Sequence, residues 1–382
     1  MPNFSRNLLF LIFFLLVSGH SPLAQNLPSP APPIIGAKSY LVIDADSTYE
    51  IASLSADSRL APASLTKLMS AYTIFRALQE EQVQLDDQVT VSEKAWRTPG
   101  SRMFIEVGTR VSVKDLLLGM IVQSGNDASV ALAEHVAGTE SVFAEVMNQY
   151  ASALGMHSSS FRNATGLPDE NHYSTARDLA TLARAIIAEF PEYYEWYSVK
   201  EFQYGDIKQS NRNSLLWRDS SVDGMKTGHT DDAGYCLVSS ARRDGMRIIS
   251  VVLGTASAKA RVDGSQALLN YGFRFYETRL LYSANEKVTQ ARIWKGQFES
   301  TELGVLQDLY VTIPRGRFDN VESVVNMSSI LTAPVAEGQP LAQLQVSLDG
   351  TSLIDEPLRA LQENPDGSFW QRTRDSVLLW FE

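Results

Sequence analysis

The chain has 382 residues, of which 44% are hydrophobic and 20% charged, and a formal net charge of −11. That length suits two to three domains, the composition excludes a chain disordered throughout, and the acidic balance excludes a nucleic-acid partner. A single cysteine, Cys236, rules out an internal disulfide framework. It sits in the apolar run Gly234-Tyr235-Cys236-Leu237-Val238 and reads as a small buried hydrophobe. No histidine or cysteine cluster has metal-ligand spacing, so neither metal nor cofactor is expected.

Residues 1–24 have the organisation of an export signal: Arg6 precedes an unbroken apolar run from Leu8 to Val17, which is too short to span a bilayer comfortably. Residues 25–36 carry Pro28, Pro30, Pro32 and Pro33 and predict an extended linker. Two short apolar runs, Tyr40-Leu41-Val42-Ile43 and Tyr49-Glu50-Ile51-Ala52, flank the turn-like Asp44-Ala45-Asp46-Ser47 and predict a β-hairpin. A helix follows at once. Pro62 suits its first turn, and Leu65, Leu68, Met69, Tyr72 and Phe75 recur at helical spacing. Ser64 and Lys67, three residues apart, share one face of it. A serine hydroxyl needs a neighbouring base to become a nucleophile, and a desolvated lysine can be that base near pH 7. Such a pair is common by chance and carries little alone.

Val113 to Met120 predicts a helix that stops at Gln123-Ser124-Gly125-Asn126-Asp127, where a second helix restarts through Ala128 to Val136. Ser124 therefore lies in a tight interhelical connection that can aim a hydroxyl into a cleft. Asn163 to Asp169 reads as a loop, and Ser174-Thr175 as the cap of a helix running to about Phe190. Lys226-Thr227-Gly228 opens an edge of sheet. Tyr235–Arg243, Asp244-Gly245 and Met246–Gly254 then form a hairpin, and residues 262–282 predict a further helix. Beyond about residue 285 the texture changes to period-two alternation, as in Leu309-Tyr310-Val311-Thr312-Ile313 and Leu344-Gln345-Val346-Ser347-Leu348, with a turn at Asp349-Gly350. A small all-β domain over 285–361 follows. Residues 367–382 fold on a helical wheel so that Phe369, Trp370, Thr373, Val377, Trp380 and Phe381 share an arc of about 120°. Arg372 and Arg374 flank that arc, and Gln371, Asp375 and Glu382 lie opposite. The stretch is too short to span a bilayer and predicts a helix lying at a membrane surface.

Ser64-x-x-Lys67, Ser124-Gly125-Asn126 and Lys226-Thr227-Gly228 occur together and in this order, the motif set shared by class A β-lactamases and penicillin-binding proteins. With Gly166-Leu167-Pro168-Asp169, Val222-Asp223-Gly224 and His229-Thr230, the chain resembles the low-molecular-mass penicillin-binding proteins of the D-alanyl-D-alanine carboxypeptidase type. The resemblance covers nearly everything after the leader. It implies an α+β penicillin-recognising serine transferase domain over 37–284, placed at the periplasmic face of the inner membrane. It also implies peptidoglycan stem peptides as substrate and β-lactam antibiotics as acylating inhibitors. In this reading Ser64 attacks the carbonyl of the penultimate D-alanine and Lys67 takes its proton, its pKa lowered by the nearby cation Lys226. Ser124 relays a proton to the leaving amine, and Asn126 orients Lys67 and accepts the substrate N–H. Lys226 and Thr227 hold the terminal carboxylate, with Arg261 and Arg212 as further candidates. Gly228 clears room for an extended substrate. The backbone N–H groups of Ser64 and His229 form the oxyanion hole. His172 and the His229 ring take loop and strand roles rather than acid–base ones.

Three rivals share the machinery or the fold: a DD-endopeptidase, a serine β-lactamase and a non-catalytic wall-binding scaffold. No Glu-x-x-Leu-Asn stretch follows Ser124, where a class A β-lactamase would carry its deacylating glutamate. The intact Ser64, Lys67, Ser124, Asn126 and Lys226 speak against the scaffold.

Overall fold

The structure, a computed structural model, describes residues 30–328 and 330–381. The predicted leader and the first part of the proline-rich stretch lie outside the described residues. Residues from Pro32 onward form one compact unit.

Its centre is a five-stranded antiparallel sheet. The predicted hairpin is present as β1 (Ser39–Asp44) and β2 (Glu50–Leu54). The later strands are β3 (Val222–Thr230), β4 (Gly234–Arg243) and β5 (Met246–Thr255). Their spatial order is β2-β1-β5-β4-β3, so the N-terminal hairpin and the C-terminal strands share one sheet and β3 is an edge. Both faces of β5 are covered: Ile249, Val251 and Leu253 join one apolar cluster, while Ile248 and Val252 join another. A strand buried on both sides reads as a near-continuous apolar run, and Ile248–Leu253 is apolar except at the buried Ser250.

On one face lie the helices of the central chain. α1 (Thr66–Gln79) is buried on nearly every side from Thr66 to Leu78, with Arg76 the exception. A helix apolar all round belongs in a core, and its buried walls fix where its first turn points. α2 (Asn126–Ala137) and α3 (Ala176–Glu189) pack in the same cluster. Thr175 caps α3 by accepting from Asp178 N. α4 (Ala258–Phe275) covers the other face, setting Val262, Leu268, Leu269 and Tyr271 with Val42, Ile248 and Val252.

The helix predicted for 262–282 stops at Phe275. Tyr276–Tyr282 is instead β6, paired antiparallel with a strand at Leu309–Pro314. Pairing with a distant strand outweighs the local helical period here, and the β-rich part begins at Tyr276 rather than near 285. Its five-stranded sheet contains β7 (Lys287–Arg292), β8 (Ser300–Gly304), β10 (Val321–Met327), β11 (Pro340–Leu348) and β12 (Thr351–Ala360), in the order β7-β8-β12-β11-β10; β9 is Leu309–Pro314. Ala291, Leu303, Leu344, Val346 and Leu358 form its core.

The seam between the two parts carries a bonded polar cluster. Asp44, buried at the end of β1, accepts from Ser47 N at 2.8 Å and Ser47 Oγ at 2.9 Å, and its other oxygen accepts from Thr278 Oγ1 at 2.7 Å. Arg315 donates to the carbonyls of Phe273 and Tyr276. At the far end, α5 (Phe369–Leu378) begins with a capping box between Ser368 and Gln371. Asp375 is buried and accepts from Lys295 N at 2.7 Å, which docks the helix on the β-rich part. The aromatic side chains point away: Trp370 is 78% and Trp380 90% exposed. Among the described residues no helix is long and apolar enough to cross a membrane.

Candidate active site

Ser64 sits in a 3₁₀ turn, Ala63–Leu65, at the mouth of α1. Its neighbours Ala63 and Leu65 are buried while Ser64 itself is half-buried. Ala63 has φ of 48°, a left-handed conformation that costs a residue with a Cβ. The turn is braced from two sides. A Cβ on Gly228 of β3 would stand 2.9 Å from Pro62 O. The bare Cα of Gly228 thus lets the edge strand pack against the Ser64 turn, a role beside the expected one of clearing room for substrate. A Cβ on Gly166, at φ of +83°, would collide with Ala63 O.

Lys67 Nζ is fully enclosed. It lies 3.1 Å from Ser64 Oγ, 2.7 Å from Asn126 Oδ1 and 2.6 Å from the carbonyl oxygen of Thr165. The amide orientation of Asn126 is set independently, because its Nδ2 donates to Pro99 O at 2.6 Å. Burial lowers the Lys67 pKa to about 7, and the Arg212 guanidinium adds to the shift, against Asp127 and Glu140. Burial is the largest cause and Arg212 the cation that adds to it, while the repulsion between Lys67 and Lys226 lowers the Lys226 pKa. Lys226 is buried too, and desolvation first, then Lys67, Arg212 and Arg261, hold its pKa well below the usual lysine value.

Ser124 follows a π-helical turn, Gly119–Gln123, and takes a left-handed conformation of φ 66° and ψ 35°. Its Oγ is buried with no hydrogen-bond partner among the described residues, leaving it free for one that enters. Asn126 N donates to Ser101 O at 2.7 Å, and the Asp127 carboxylate accepts from Met103 N and Phe104 N at 3.0 and 2.9 Å. The residue after the Ser-Gly-Asn motif therefore holds the 99–105 segment against it.

A cleft of about 640 Å³ joins Ser64, Ser124, Asn126, Thr227, Gly228, His229, Arg212 and Arg261. Arg261 Nη1 donates to Gly228 O at 3.2 Å, and its guanidinium stands 5.7 Å from the Tyr235 ring centroid. The Tyr235 ring lies 3.9 Å from that of His229. Arg212 Nε donates to Gln123 O at 3.0 Å. Lys226 does not line the cleft. It stands behind Thr227 and donates to the Thr227 carbonyl at 3.1 Å.

Sequence reasoning passed over several groups. Thr165 O, an acceptor for Lys67, lies in a stretch whose residue types predict only a loop. Asn163 shapes that loop by accepting from Thr165 N and Gly166 N at 3.1 and 2.7 Å. His172 pins it to α1. Arg162 N–H donates to His172 Nδ1 at 3.3 Å, so Nε2 carries the proton and donates to Thr66 Oγ1 at 2.8 Å. Burial drops the His172 pKa to about 4, which keeps the ring neutral. At the root of β3, Asp223 takes Tyr194 OH at 2.5 Å and Arg247 Nη1 at 2.8 Å. The sequence signal for this loop was its Asn-Ala-Thr-Gly run, a polar turn of the kind that positions backbone carbonyls.

Residues 26–257 match the D-alanyl-D-alanine carboxypeptidase peptidase family, and residues 276–365 match the C-terminal domain of penicillin-binding protein 5. The chain is 41% identical to D-alanyl-D-alanine carboxypeptidase DacA of Escherichia coli (strain K12), over 92% of this chain and 89% of that one. Among solved structures, penicillin binding protein 5 from Haemophilus influenzae superposes with a TM-score of 0.86 at 40% identity, covering 88% of this chain and all of that one. Penicillin-binding protein D2 from Listeria monocytogenes, in its ampicillin-bound form, is similar at 31% identity and a TM-score of 0.59, over 63% of this chain and 100% of that one. Motifs, fold and likeness along almost the whole length agree: the chain belongs to the D-alanyl-D-alanine carboxypeptidase family.

Proposed function

We propose that the protein removes the terminal D-alanine from peptidoglycan stem peptides through an acyl-enzyme on Ser64, and that β-lactams acylate the same oxygen. One observation carries this reading. Asn126 Oδ1 and Thr165 O can only accept hydrogen bonds. A neutral Lys67 amine has two N–H donors and one lone pair; the donors go to those two oxygens, and the lone pair is left for the Ser64 hydroxyl. As Ser64 Oγ attacks the carbonyl carbon of the penultimate D-alanine, its proton passes to Lys67 Nζ. The N–H groups of Ser64 and His229 take the developing oxyanion. Ser124 Oγ passes a proton to the departing amine as the C–N bond breaks. Water then hydrolyses the ester and returns Ser64.

The terminal carboxylate fits the Thr227, Arg212 and Arg261 end of the cleft, with Lys226 behind the strand bracing Thr227 through its carbonyl. A second concavity of about 600 Å³ shares Gly166, Leu167 and Thr230 with the cleft and gives the rest of the peptide room. No carboxylate lines the catalytic cleft among the described residues, which disfavours the glutamate-assisted deacylation of a class A β-lactamase. Incubating leaderless protein with a pentapeptide ending in D-Ala-D-Ala, then measuring free D-alanine and mapping a benzylpenicillin adduct, tests the proposal. Full labelling of Ser64→Ala would sink it.

We further assign residues 1–24 to an export signal, 25–36 to a linker, the stretch up to Phe275 to the peptidase part and Tyr276–Leu361 to a supporting β-rich part. α5 and the residues after it serve as a membrane foot at the periplasmic face of the inner membrane. The support is the outward aromatic face, with Phe369, Trp370, Val377, Trp380 and Phe381 exposed while Asp375 turns inward.

A further inference from the structure

The turn between β4 and β5, the last turns of α4 and the end of β9 meet around a cleft of about 400 Å³, well away in sequence from every catalytic motif. It is lined by Arg243, Asp244, Asn270, Phe273, Arg274 and Arg315. Three guanidinium groups on one concavity repel one another, and on a chain of net charge −11 they are not a by-product of general basicity.

Their commitments differ. Arg243 is matched: its Nη2 lies 2.6 Å from Asp219 Oδ2 and 3.0 Å from Asn270 Oδ1, and its guanidinium lies 4.5 Å from the Phe273 ring centroid. Arg315 spends Nη2 on the carbonyls of Phe273 and Tyr276, at 2.8 and 3.1 Å, which leaves Nη1 and Nε. Arg274 has no ion pair or hydrogen bond among the described residues and approaches only the Phe275 ring, at 5.6 Å. Asn270 uses Oδ1 to accept from Arg243 and Gln266, so its Nδ2 donors remain. Two carboxylates oppose the three arginines: Asp219, which is taken, and Asp244 on the rim. Glu277, which feels Arg315, is already bonded to Arg279 and to Gly316 N–H. The α4 carbonyl end disfavours anions only weakly. The cleft thus keeps one surplus positive charge and several free N–H donors aimed at one space.

We propose that this cleft binds an oxyanion, a phosphate or carboxylate group, through Arg274, Arg315 and Asn270 Nδ2. Guanidinium forks match either group, in charge-assisted pairs. Because the lining comes from the sheet hairpin, the helix end and the β-rich part, a bound oxyanion stabilises the junction of all three.

The test uses the leaderless full-length protein. It is titrated at constant ionic strength with inorganic phosphate and, separately, with N-acetyl-D-alanine, and the thermal midpoint and arginine side-chain NMR shifts are read against chloride. The expected result is a saturable rise in midpoint with at least one probe, and the tighter probe identifies phosphate or carboxylate as the group recognised. Arg274→Ala should weaken that binding about 10-fold or more, the loss of a charge-assisted hydrogen bond, with D-alanine release unchanged. Binding at the catalytic cleft would be insensitive to Arg274, so the variant separates the two sites. No saturable response to either probe, or an identical response in Arg274→Ala, overturns the proposal.

Discussion

Gly166 and Ala63 are locked together: a single methyl group on Gly166 would overlap the carbonyl oxygen of Ala63, the residue before the nucleophile. Gly166 also sits at φ of +83°, where an L side chain is strained. Gly166→Ala should therefore displace the Ser64 turn and the Thr165 carbonyl together. Backbone strain and overpacking of this kind cost about 1–3 kcal/mol. The expected outcome is a lower thermal midpoint and slower benzylpenicillin acylation. Wild-type values for both would refute the contact.

The Lys67 pKa of about 7 makes the rate pH-dependent. Only the neutral amine can take the Ser64 proton. Acylation should fall about tenfold per pH unit below 7 and level off above it. Stopped-flow acylation from pH 5 to 9 reads this directly, and a flat profile would remove Lys67 as the base. Lys67→Ala should slow acylation about 10²–10⁴-fold and abolish the inflection.

Lys226→Ala should impair D-alanine release and penicillin acylation in parallel, since both ligands carry a carboxylate. Because Lys226 acts on the ligand through Thr227, the loss should not exceed the roughly 10–150-fold of a charge-assisted hydrogen bond. If Lys226 acts by donating to the Thr227 carbonyl, Lys226→Arg, which keeps an N–H donor, should restore part of the loss. Unchanged rates on both compounds would exclude Lys226 from carboxylate recognition.

His172 links protonation to stability. Its folded pKa is depressed to about 4 from an ordinary 6.5. Between those values the unfolded chain binds the proton and the folded chain does not, so stability drops as pH falls from 6.5 towards 4. The full effect is about 3 kcal/mol. Denaturant unfolding at several pH values should show this slope, and His172→Gln should flatten it while retaining a side chain that can donate to Thr66.

The C-terminal foot can be removed without touching the peptidase part, provided the cut respects Asn364. That residue is fully buried and bonded to Phe298 N and O and to Thr301 Oγ1. Truncation after Gly367 should leave penicillin binding intact and release mature protein from membranes. A truncated form that still pellets with membranes would disprove the anchor.

The sequence exposed those parts of the site in which chemistry and spacing coincide along the chain. Ser64 and Lys67 are one helical turn apart, and Ser124 with Asn126 and Lys226 with Thr227 are near neighbours, so each pair is visible as a motif. What stayed hidden depends on partners far away. Thr165 reaches Lys67 across 98 residues and does so through a backbone carbonyl, which no residue type advertises. Asp223, Tyr194 and Arg247 come from three different elements. The strand at Tyr276–Tyr282 looked helical because its partner, Leu309–Pro314, lies beyond any local window. The packing of Gly228 against Pro62 is likewise hidden, since the two are 166 residues apart.

The carboxylate of Asp44 closes the sheet that carries Lys226 and at the same time holds Thr278 of the β-rich part. With its oxygens bonded from both sides, this one buried carboxylate ties the central sheet to the β-rich part. If α5 seats the protein on a membrane, as proposed above, the height and facing of Ser64 over that surface follow from how these two parts are joined.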